Sequence, residues 1–172
     1  MTRTLPASCY SDSEVFELER RSVWSSEWIM FAPRAALDRP GAYVVDEVAG
    51  FPLMVVVDPD GGLRGYHNVC PHRAGVLLWP GQGTAGNLVC RYHGWAFGWD
   101  GCLKNARDFG CDPDAGENSL RAVRVETWGP LVFVNLDPDA RPLVDSLGSL
   151  DAAVRAHDFE GFTYGQIGRA HV

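Results

Sequence analysis

The chain has 172 residues, of which 46% are hydrophobic and 22% are charged, a composition typical of one globular domain. Its net charge of −7 argues against a nucleic-acid partner, although an acidic surface is compatible with docking a more basic redox partner. The first ten residues lack a hydrophobic segment, and no run approaches about 18 apolar residues. We therefore expect a cytoplasmic chain without a membrane span.

Most of the predicted elements are short strands. A helix is expected over about 13–23, after a capping-box pattern at 11–14, and an apolar strand follows at 28–32. Strands are then expected at 42–48, 51–58, 63–68, 88–89, 95–99, 121–128 and 131–136, because β-prone runs alternate with turn sequences there. Many short strands with frequent turns indicate an all-β sandwich or barrel.

The last part of the chain carries one helical stripe. Leu143, Leu147, Leu150 and Val154 fall at i, i+4, i+7 and i+11, a spacing that predicts a helix with a single apolar face. Together with the early helix, this pattern places short helices at both ends of the predicted β-domain.

Four residues in two short segments form the most specific pattern in the sequence. They are Cys70 and His72, spaced C-x-H, and Cys90 and His93, spaced C-x-x-H, with seventeen residues between the two segments. Thiolate and imidazole both suit iron, and two Cys with two His are the ligands of a Rieske [2Fe–2S] cluster. In that cluster the Cys bind one iron and the His bind the other, so each loop reaches across both metals.

A structural zinc site is the competing interpretation. Zinc motifs usually combine C-x₂₋₄-C with H-x₃₋₅-H, whereas C-x-H places both ligands on one short turn, an awkward arrangement for a single tetrahedral ion. A zinc-stabilised binding module stays as the non-redox alternative. Three cysteines remain, Cys9, Cys102 and Cys111, and their odd number argues against a disulfide framework. Cys102 and Cys111 are predicted to be unpaired thiols rather than a second metal site.

The sequence around the four ligands resembles the N-terminal part of the α subunit of Rieske non-haem iron oxygenases, the aromatic-ring-hydroxylating dioxygenases. The resemblance covers about residues 13–155 and is carried by the segments at 60–73, 90–101 and 125–136. It implies a mainly β fold: a Rieske-type antiparallel β-sandwich with a small cluster-binding subdomain of two loops, flanked by short N- and C-terminal helices. The sequence at 70–75, Cys-Pro-His-Arg-Ala-Gly, is similar to that of α subunits near the choline and carnitine monooxygenase group.

The resemblance also implies a division into three parts. Residues 1–40 form an N-terminal helix and lead-in strand, residues 41–140 form the Rieske domain with its cluster-binding loops at 68–97, and residues 141–172 form a C-terminal helix and linker. In the family, the linker leads to a catalytic domain with a mononuclear Fe(II), which we expect to be missing here. His157 and His171 are not expected to bind metal, and no catalytic residue is assigned.

The implied function is one-electron transfer by an oxidoreductase module of a Rieske mono- or dioxygenase. Electrons would come from a reductase or ferredoxin and pass to the mononuclear iron for O₂-dependent hydroxylation. A stand-alone Rieske-type ferredoxin is the alternative, but the flanking helices favour the oxygenase module. In the family, high-potential members carry an extra Cys in each loop. Here Ala74 or Gly75 and Tyr92 stand at those positions, which predicts a low potential.

Four loop residues are predicted to support the cluster without binding iron: Arg73, Tyr92, Gly94 and Trp95. Backbone N–H groups near Arg73 and Gly94 are expected to hydrogen-bond the bridging sulfides. Trp95 is expected to pack over the cluster and within the core. Tyr92 is expected either to point its hydroxyl at a sulfur or to fill the loop, and His67 is expected to be structural.

Overall fold

The computed structural model of the chain describes residues 4–107, 109–110 and 114–162. The strands run as follows: β1 Ile29–Pro33, β2 Ala42–Val48, β3 Phe51–Val57, β4 Leu63–His67, β5 Gly81–Thr84, β6 Leu88–Val89, β7 Ala96–Phe97, β8 Leu103–Asn105, β9 Ala122–Trp128 and β10 Leu131–Asn135. They form a seven-stranded sheet in the order β1-β10-β9-β4-β3-β2-β5 and a three-stranded sheet in the order β6-β7-β8. Every pairing is antiparallel, so the predicted mainly β, antiparallel fold is confirmed.

Strand β3 lies between β4 and β2 in the large sheet and is buried on both faces. Its residues 53–57 are an unbroken apolar run and are at most 1% exposed, as expected of a strand covered on both sides. Leu53, Val55 and Val57 contribute to one hydrophobic core, whereas Met54 and Val56 contribute to the other. Because successive side chains of a strand point to opposite faces of the sheet, this one segment contributes to two separate cores.

The second core connects the large sheet to the small one. Met54, Val56 and Tyr66 from the large sheet share this core with Leu88 and Phe97 from the small sheet. The same core contains Cys70, Cys90 and Trp95. The loops that carry the candidate ligands are therefore anchored in this core rather than suspended from the surface.

Tyr66 makes a specific link between the two sheets. Its hydroxyl donates to the carbonyl of Trp99 at 2.7 Å, in the turn that follows β7, and burial raises the pKa of Tyr66 to about 12. Gly101 in the same turn has φ +79°, and a methyl group there would lie 2.5 Å from Tyr66 Cε1. Both the positive φ and the close approach require glycine at this position.

The turn between β3 and β4 is organised by a buried carboxylate. Asp58 is 4% exposed and accepts hydrogen bonds from the backbone of Asp60 and Gly62 and from Nε of Arg64. The Arg64 hydrogen bond, followed by that of Gly62, holds the pKa of Asp58 below its usual range. The turn between the strands predicted at 51–58 and 63–68 is thus built around one ionised side chain.

The first helix begins and ends close to its predicted bounds. Helix α1 spans Ser13–Ser22, and its N-cap is Asp12, whose carboxylate accepts from the backbone N–H of Glu14 at 2.8 Å. In the described part of the chain, no helix combines the length and the apolar character needed to cross a membrane.

The single helix predicted from the stripe at 143–154 is wrong. The segment forms two helices, α2 at Leu143–Leu147 and α3 at Ser149–Arg155, separated by Gly148 with φ +53°. A residue in that conformation cannot continue a right-handed helix. Leu143 is buried, but Leu150 is 50% exposed, so the stripe does not form one buried face.

Strand β5 was not predicted, because its sequence Gly-Gln-Gly-Thr has no β-prone pattern. It forms because it pairs with β2, where Gln82 lies opposite Val44. Gly83 leaves room for a neighbouring ring, since a methyl group there would lie 2.7 Å from Cζ of Tyr43. Strand β8, which pairs with β7, was also missed.

The close approach of β4 to β9 predicts a stability effect. A methyl group on Gly65 would lie 2.4 Å from Val125 Cγ2 and 2.8 Å from the carbonyl oxygen of Val123. We expect Gly65→Ala to lower the free energy of unfolding by ~1–3 kcal/mol, the usual cost of overpacking, as measured by urea denaturation.

Gly86→Ala is the matched control for that substitution. Gly86 is exposed, and a methyl group there would meet no atom within 4 Å. This variant should stay within about 0.5 kcal/mol of the parent chain. Equal losses at both positions would contradict the packing argument.

Candidate functional site

The two candidate ligand loops have the same backbone hydrogen bonds. In the first loop, Cys70 N–H donates to Gly75 O at 2.8 Å and Ala74 N–H donates to Cys70 O at 2.9 Å. In the second, Cys90 N–H donates to Trp95 O at 2.8 Å and Gly94 N–H donates to Cys90 O at 2.9 Å. The loops therefore close in the same way, although His follows Cys by two residues in one and by three in the other.

Equivalent positions of the two loops adopt a left-handed backbone. Gly94 has φ +72° in the second loop, and Ala74 has φ +55° in the first. For a residue with a Cβ, this conformation costs roughly 1–2 kcal/mol, so Ala74 is held by its surroundings against its own preference. The loop closure described above supplies that constraint.

The two loops contact each other at Gly75. A methyl group on Gly75 would lie 3.0 Å from Sγ of Cys90 and 3.1 Å from Cβ of Tyr92. No side chain fits there without moving the second loop. Gly75 also accepts the hydrogen bond that closes the first loop on Cys70, so this contact joins the first loop directly to Cys90.

The structure brings all four candidate ligands together. Cys70 and Cys90 are 1% and 3% exposed and carry no disulfide, and the neighbouring Cys90 thiol contributes to the raised pKa of Cys70. The rings of His72 and His93 lie with their centroids 4.7 Å apart. Nδ1 of each ring is buried and has no hydrogen-bond partner within the described residues.

Unpartnered buried nitrogens are costly, and they are the donor atoms that a metal would take. No group of three or more His, Cys, Asp or Glu residues in the described ranges is arranged to hold one metal ion. The donors form two pairs, one of sulfur and one of nitrogen. That arrangement fits a two-iron cluster with mixed ligands better than a single tetrahedral zinc.

The surroundings of Cys70 favour the protonated thiol, and those of His72 favour the neutral imidazole. Burial raises the pKa of Cys70 to about 11, although the backbone N–H groups of His72 and Arg73 oppose this shift. A thiol in such a site ionises when it binds a metal cation. Burial, followed by the charges of His93 and Arg73, lowers the pKa of His72, which favours the neutral imidazole that a metal requires.

Trp95 packs against one of the candidate histidine ligands. It is 1% exposed, and its indole stacks on the His72 ring with a centroid distance of 4.6 Å and an interplanar angle of 4°. Phe109 meets both rings edge-on. Tyr92 is 63% exposed, and its ring lies 3.8 Å from that of His93, so it covers His93 from the outside.

Asn68 is a site residue that the sequence reasoning missed. It is 2% exposed; its Nδ2 donates to Leu78 O at 2.8 Å, and its Oδ1 accepts from the N–H groups of Leu77 and Leu78 at 3.1 Å each. These bonds fasten the end of the first loop to the end of β4. A polar residue two positions before the C-x-H motif, at the end of a predicted strand, was the available signal.

Other candidate residues lie apart from the ligand pairs. His67 contacts Phe51 edge-on at 6.3 Å, and burial, followed by the charge of Arg121, lowers its pKa. His157 is exposed after α3, and Cys102 is an exposed free thiol. Cys111 and His171 lie outside the described residues.

Comparison with known proteins identifies the family. The model of the Rieske [2Fe-2S] domain matches residues 27–125. The chain belongs to this family. The family binds a Rieske cluster, so the cofactor expected from the Cys and His pattern is confirmed.

Several oxygenases are similar to this chain in sequence and structure. The oxygenase subunit of carnitine monooxygenase from Escherichia coli K12 is 40% identical over 156 residues, which are 88% of this chain and 41% of that protein. The apo form of a quaternary ammonium Rieske monooxygenase superposes with a TM-score of 0.84 at 32% identity, covering 91% of this chain and 47% of that one. Naphthalene 1,2-dioxygenase from Rhodococcus sp. superposes with a TM-score of 0.78 at 29% identity. The match covers 88% of this chain and 36% of the dioxygenase chain.

The chain thus spans about two fifths of the length of the curated relative it matches. The predicted likeness to the Rieske part of an oxygenase subunit is confirmed by these relatives. Those named for carnitine and glycine betaine are monooxygenases, whereas the dioxygenase character that the sequence suggested is not confirmed for this chain.

The bonds of Asn68 predict a marked loss of stability on truncation. In Asn68→Ala, two buried N–H groups and one carbonyl lose their partner, at ~1–3 kcal/mol for each group left unsatisfied. We expect the free energy of unfolding to fall by at least about 2 kcal/mol in urea denaturation. The exposed Asn87 provides the control: if Asn87→Ala lost as much, Asn68 would have no special role.

Proposed function

We propose that Cys70, His72, Cys90 and His93 bind a Rieske [2Fe–2S] cluster, with both thiolates on one iron and both imidazoles on the other through Nδ1. The observation that supports this most directly is the pair of buried Nδ1 atoms without a hydrogen-bond partner in the described structure. The cluster, when bound, accepts and donates one electron at a time within a Rieske range of about −150 to +300 mV.

The surrounding residues tune that chemistry by excluding water and by presenting hydrogen-bond donors. Trp95, stacked on His72, keeps solvent from the inner side of the histidine pair. We propose that backbone N–H groups near Arg73 and Gly94 hydrogen-bond the bridging sulfides. The absence of a cysteine at Ala74, Gly75 or Tyr92 supports a potential toward the low end of the range.

We infer that this domain is the electron-transfer part of an oxygenase component. The relatives that support this inference are oxygenase subunits of monooxygenases, and a related structure is described in terms of inter-subunit electron transfer. In this proposal a reductase or ferredoxin supplies electrons, and a catalytic domain with mononuclear non-haem iron receives them for O₂-dependent hydroxylation. The relatives named for carnitine and glycine betaine support a quaternary ammonium substrate for the whole enzyme.

The proposed division of the chain follows the same assignment. Residues 1–40 lead into the domain, residues 41–140 hold the cluster through the loops at 68–97, and residues 141–172 lead toward the catalytic domain. The match of the family model to residues 27–125 supports the central part. The cytoplasmic location stays a prediction of the sequence.

Substitution of either histidine tests the ligand assignment. The reconstituted chain should contain about two iron and two sulfide atoms, and the reduced protein should show the EPR signal of a mixed His/Cys cluster. His72→Ala and His93→Ala should each remove that signal and reduce the iron content to background, because one iron loses half of its protein ligands.

The chain offers matched controls for both ligand types. His157→Ala and Cys102→Ser change an exposed imidazole and an exposed thiol and should keep full iron content. Zinc without iron in the parent chain, or a normal EPR signal in either ligand variant, would contradict the assignment.

A further inference from the structure

One face of strand β9 carries three neighbouring side chains with polar groups. Alternate residues of a strand point to the same face, so Arg124, Glu126 and Trp128 share one face. Val123 and Val125 point to the other face and pack in a hydrophobic core. The three polar residues are partly exposed, and we call them the β9 row.

The chain that follows β10 contacts this row at three successive points, and we call residues 140–162 the C-terminal strap. In chain order, the hydrogen bonds run from Arg124 Nη1 to Ala140 O, from Leu143 N to Glu126 Oε2 at 2.8 Å, and from Trp128 Nε1 to Asp151 Oδ1 at 2.6 Å. The contacts advance along both segments in the same order. The strap therefore lies along β9.

Aromatic side chains complete this contact. Trp28 donates from Nε1 to Arg141 O at 2.8 Å. The ring centroids of Phe159 and Trp128 are 4.6 Å apart, and a methyl group on Gly129 would lie 2.6 Å from Phe159 Cδ1. The strap is thus held near both of its ends.

The charged groups at the contact are paired within one side rather than across it. Arg124 Nη2 lies 2.7 Å from Glu126 Oε1, so this ion pair belongs to the β9 row. Arg155 Nε lies 2.8 Å from Asp151 Oδ2, so that ion pair belongs to the strap. Separation of the strap from β9 breaks neither pair, and it therefore avoids the large cost of leaving a charge uncompensated.

Water can replace the hydrogen bonds that cross the contact. The side chains of Arg124 and Glu126 are 31% and 30% exposed, so solvent already reaches them while the strap is docked. A hydrogen bond that is exchanged for one with water contributes little net stability. The contact is therefore specific in geometry but inexpensive to open.

The strap also contributes little to the two hydrophobic cores. Leu143 is 3% exposed, but neither core contains it. Val144 and Leu150 are 54% and 50% exposed. Segments with few buried apolar contacts open locally at a lower free energy than the core of the same protein.

We propose that the C-terminal strap is a latch that undocks from β9 as one cooperative unit while the β-domain and the cluster loops stay folded. The hinge lies at 137–139, between the last strand and the first contact at Ala140. Opening is a conformational step in which no covalent bond forms or breaks. In the proposed function, on which this consequence rests, residues 141–172 lead toward the catalytic domain, so the latch controls how the cluster domain is attached to it.

Native-state hydrogen exchange of the cluster-loaded chain, followed by mass spectrometry at a series of low urea concentrations, tests whether the strap opens separately. Peptides that cover α2 and α3 should exchange about 100-fold faster than peptides that cover β3. Their exchange should also depend less steeply on urea, because a local opening exposes less surface than global unfolding. Exchange of the strap and β3 at the same rate and with the same urea dependence would overturn the proposal.

Two substitutions in the β9 row test whether the strap opens as one unit. Glu126→Ala removes the acceptor of the Leu143 N–H group, and Trp128→Phe removes the donor to Asp151 while keeping a ring beside Phe159. Each should speed exchange about fivefold in both α2 and α3, including the helix that the substituted residue does not contact. Effects confined to α2 for Glu126→Ala and to α3 for Trp128→Phe would overturn the cooperative unit.

Matched controls make the same chemical changes at exposed positions outside the contact. Glu117→Ala and Trp79→Phe should change the exchange of the strap less than twofold, and a control that acts as strongly as Glu126→Ala overturns the latch. Hydrogen exchange does not depend on electron transfer. A chain that takes up no [2Fe–2S] cluster therefore overturns the proposed function, and exchange in that same chain still decides for or against the latch.

Discussion

The contact between two loops at Gly75 is the constraint on which the site depends. A methyl group there would lie 3.0 Å from Sγ of Cys90, so the loops pack backbone against side chain with no room to spare. Because each loop closes on its own cysteine through the same pair of hydrogen bonds, fixing the loops fixes both cysteines. The same loops position the two histidines, whose buried Nδ1 atoms have no hydrogen-bond partner among the described residues.

The large sheet supplies the rigidity that such a contact needs. Strand β3 buries side chains in two cores, and the core on the cluster side includes both cysteines and Trp95. Asn68 fastens the first loop to β4, and Tyr66 fastens the turn after β7 to the same strand. A pre-arranged ligand set of this kind loses little conformational entropy when it binds its cofactor, although Ala74 retains an unfavourable backbone conformation.

The sequence contained enough information to select the four candidate ligands that the structure brings together and to predict the strands of high β-propensity. Cys70, His72, Cys90 and His93 were recognisable because spacing and residue type are local properties. Strand β5 was not recognisable, since only its pairing with β2 makes Gly81–Thr84 a strand. Asn68 was missed for a similar reason: its role depends on backbone groups nine and ten residues away. The helix predicted at 143–154 is interrupted at Gly148, because the spacing of apolar residues does not reveal a residue with a left-handed backbone conformation.

The central claim is that two imidazoles bind one iron through the nitrogens that the protein leaves unpartnered. Electron–nuclear double resonance on the reduced, reconstituted chain, labelled with ¹⁵N only at histidine Nδ1, tests this claim directly. We expect strong couplings from two ¹⁵N nuclei, and from one ¹⁵N nucleus in a cluster assembled on either His72→Cys or His93→Cys. A spectrum with no strong ¹⁵N coupling, or with coupling from a single histidine in the parent chain, would contradict it.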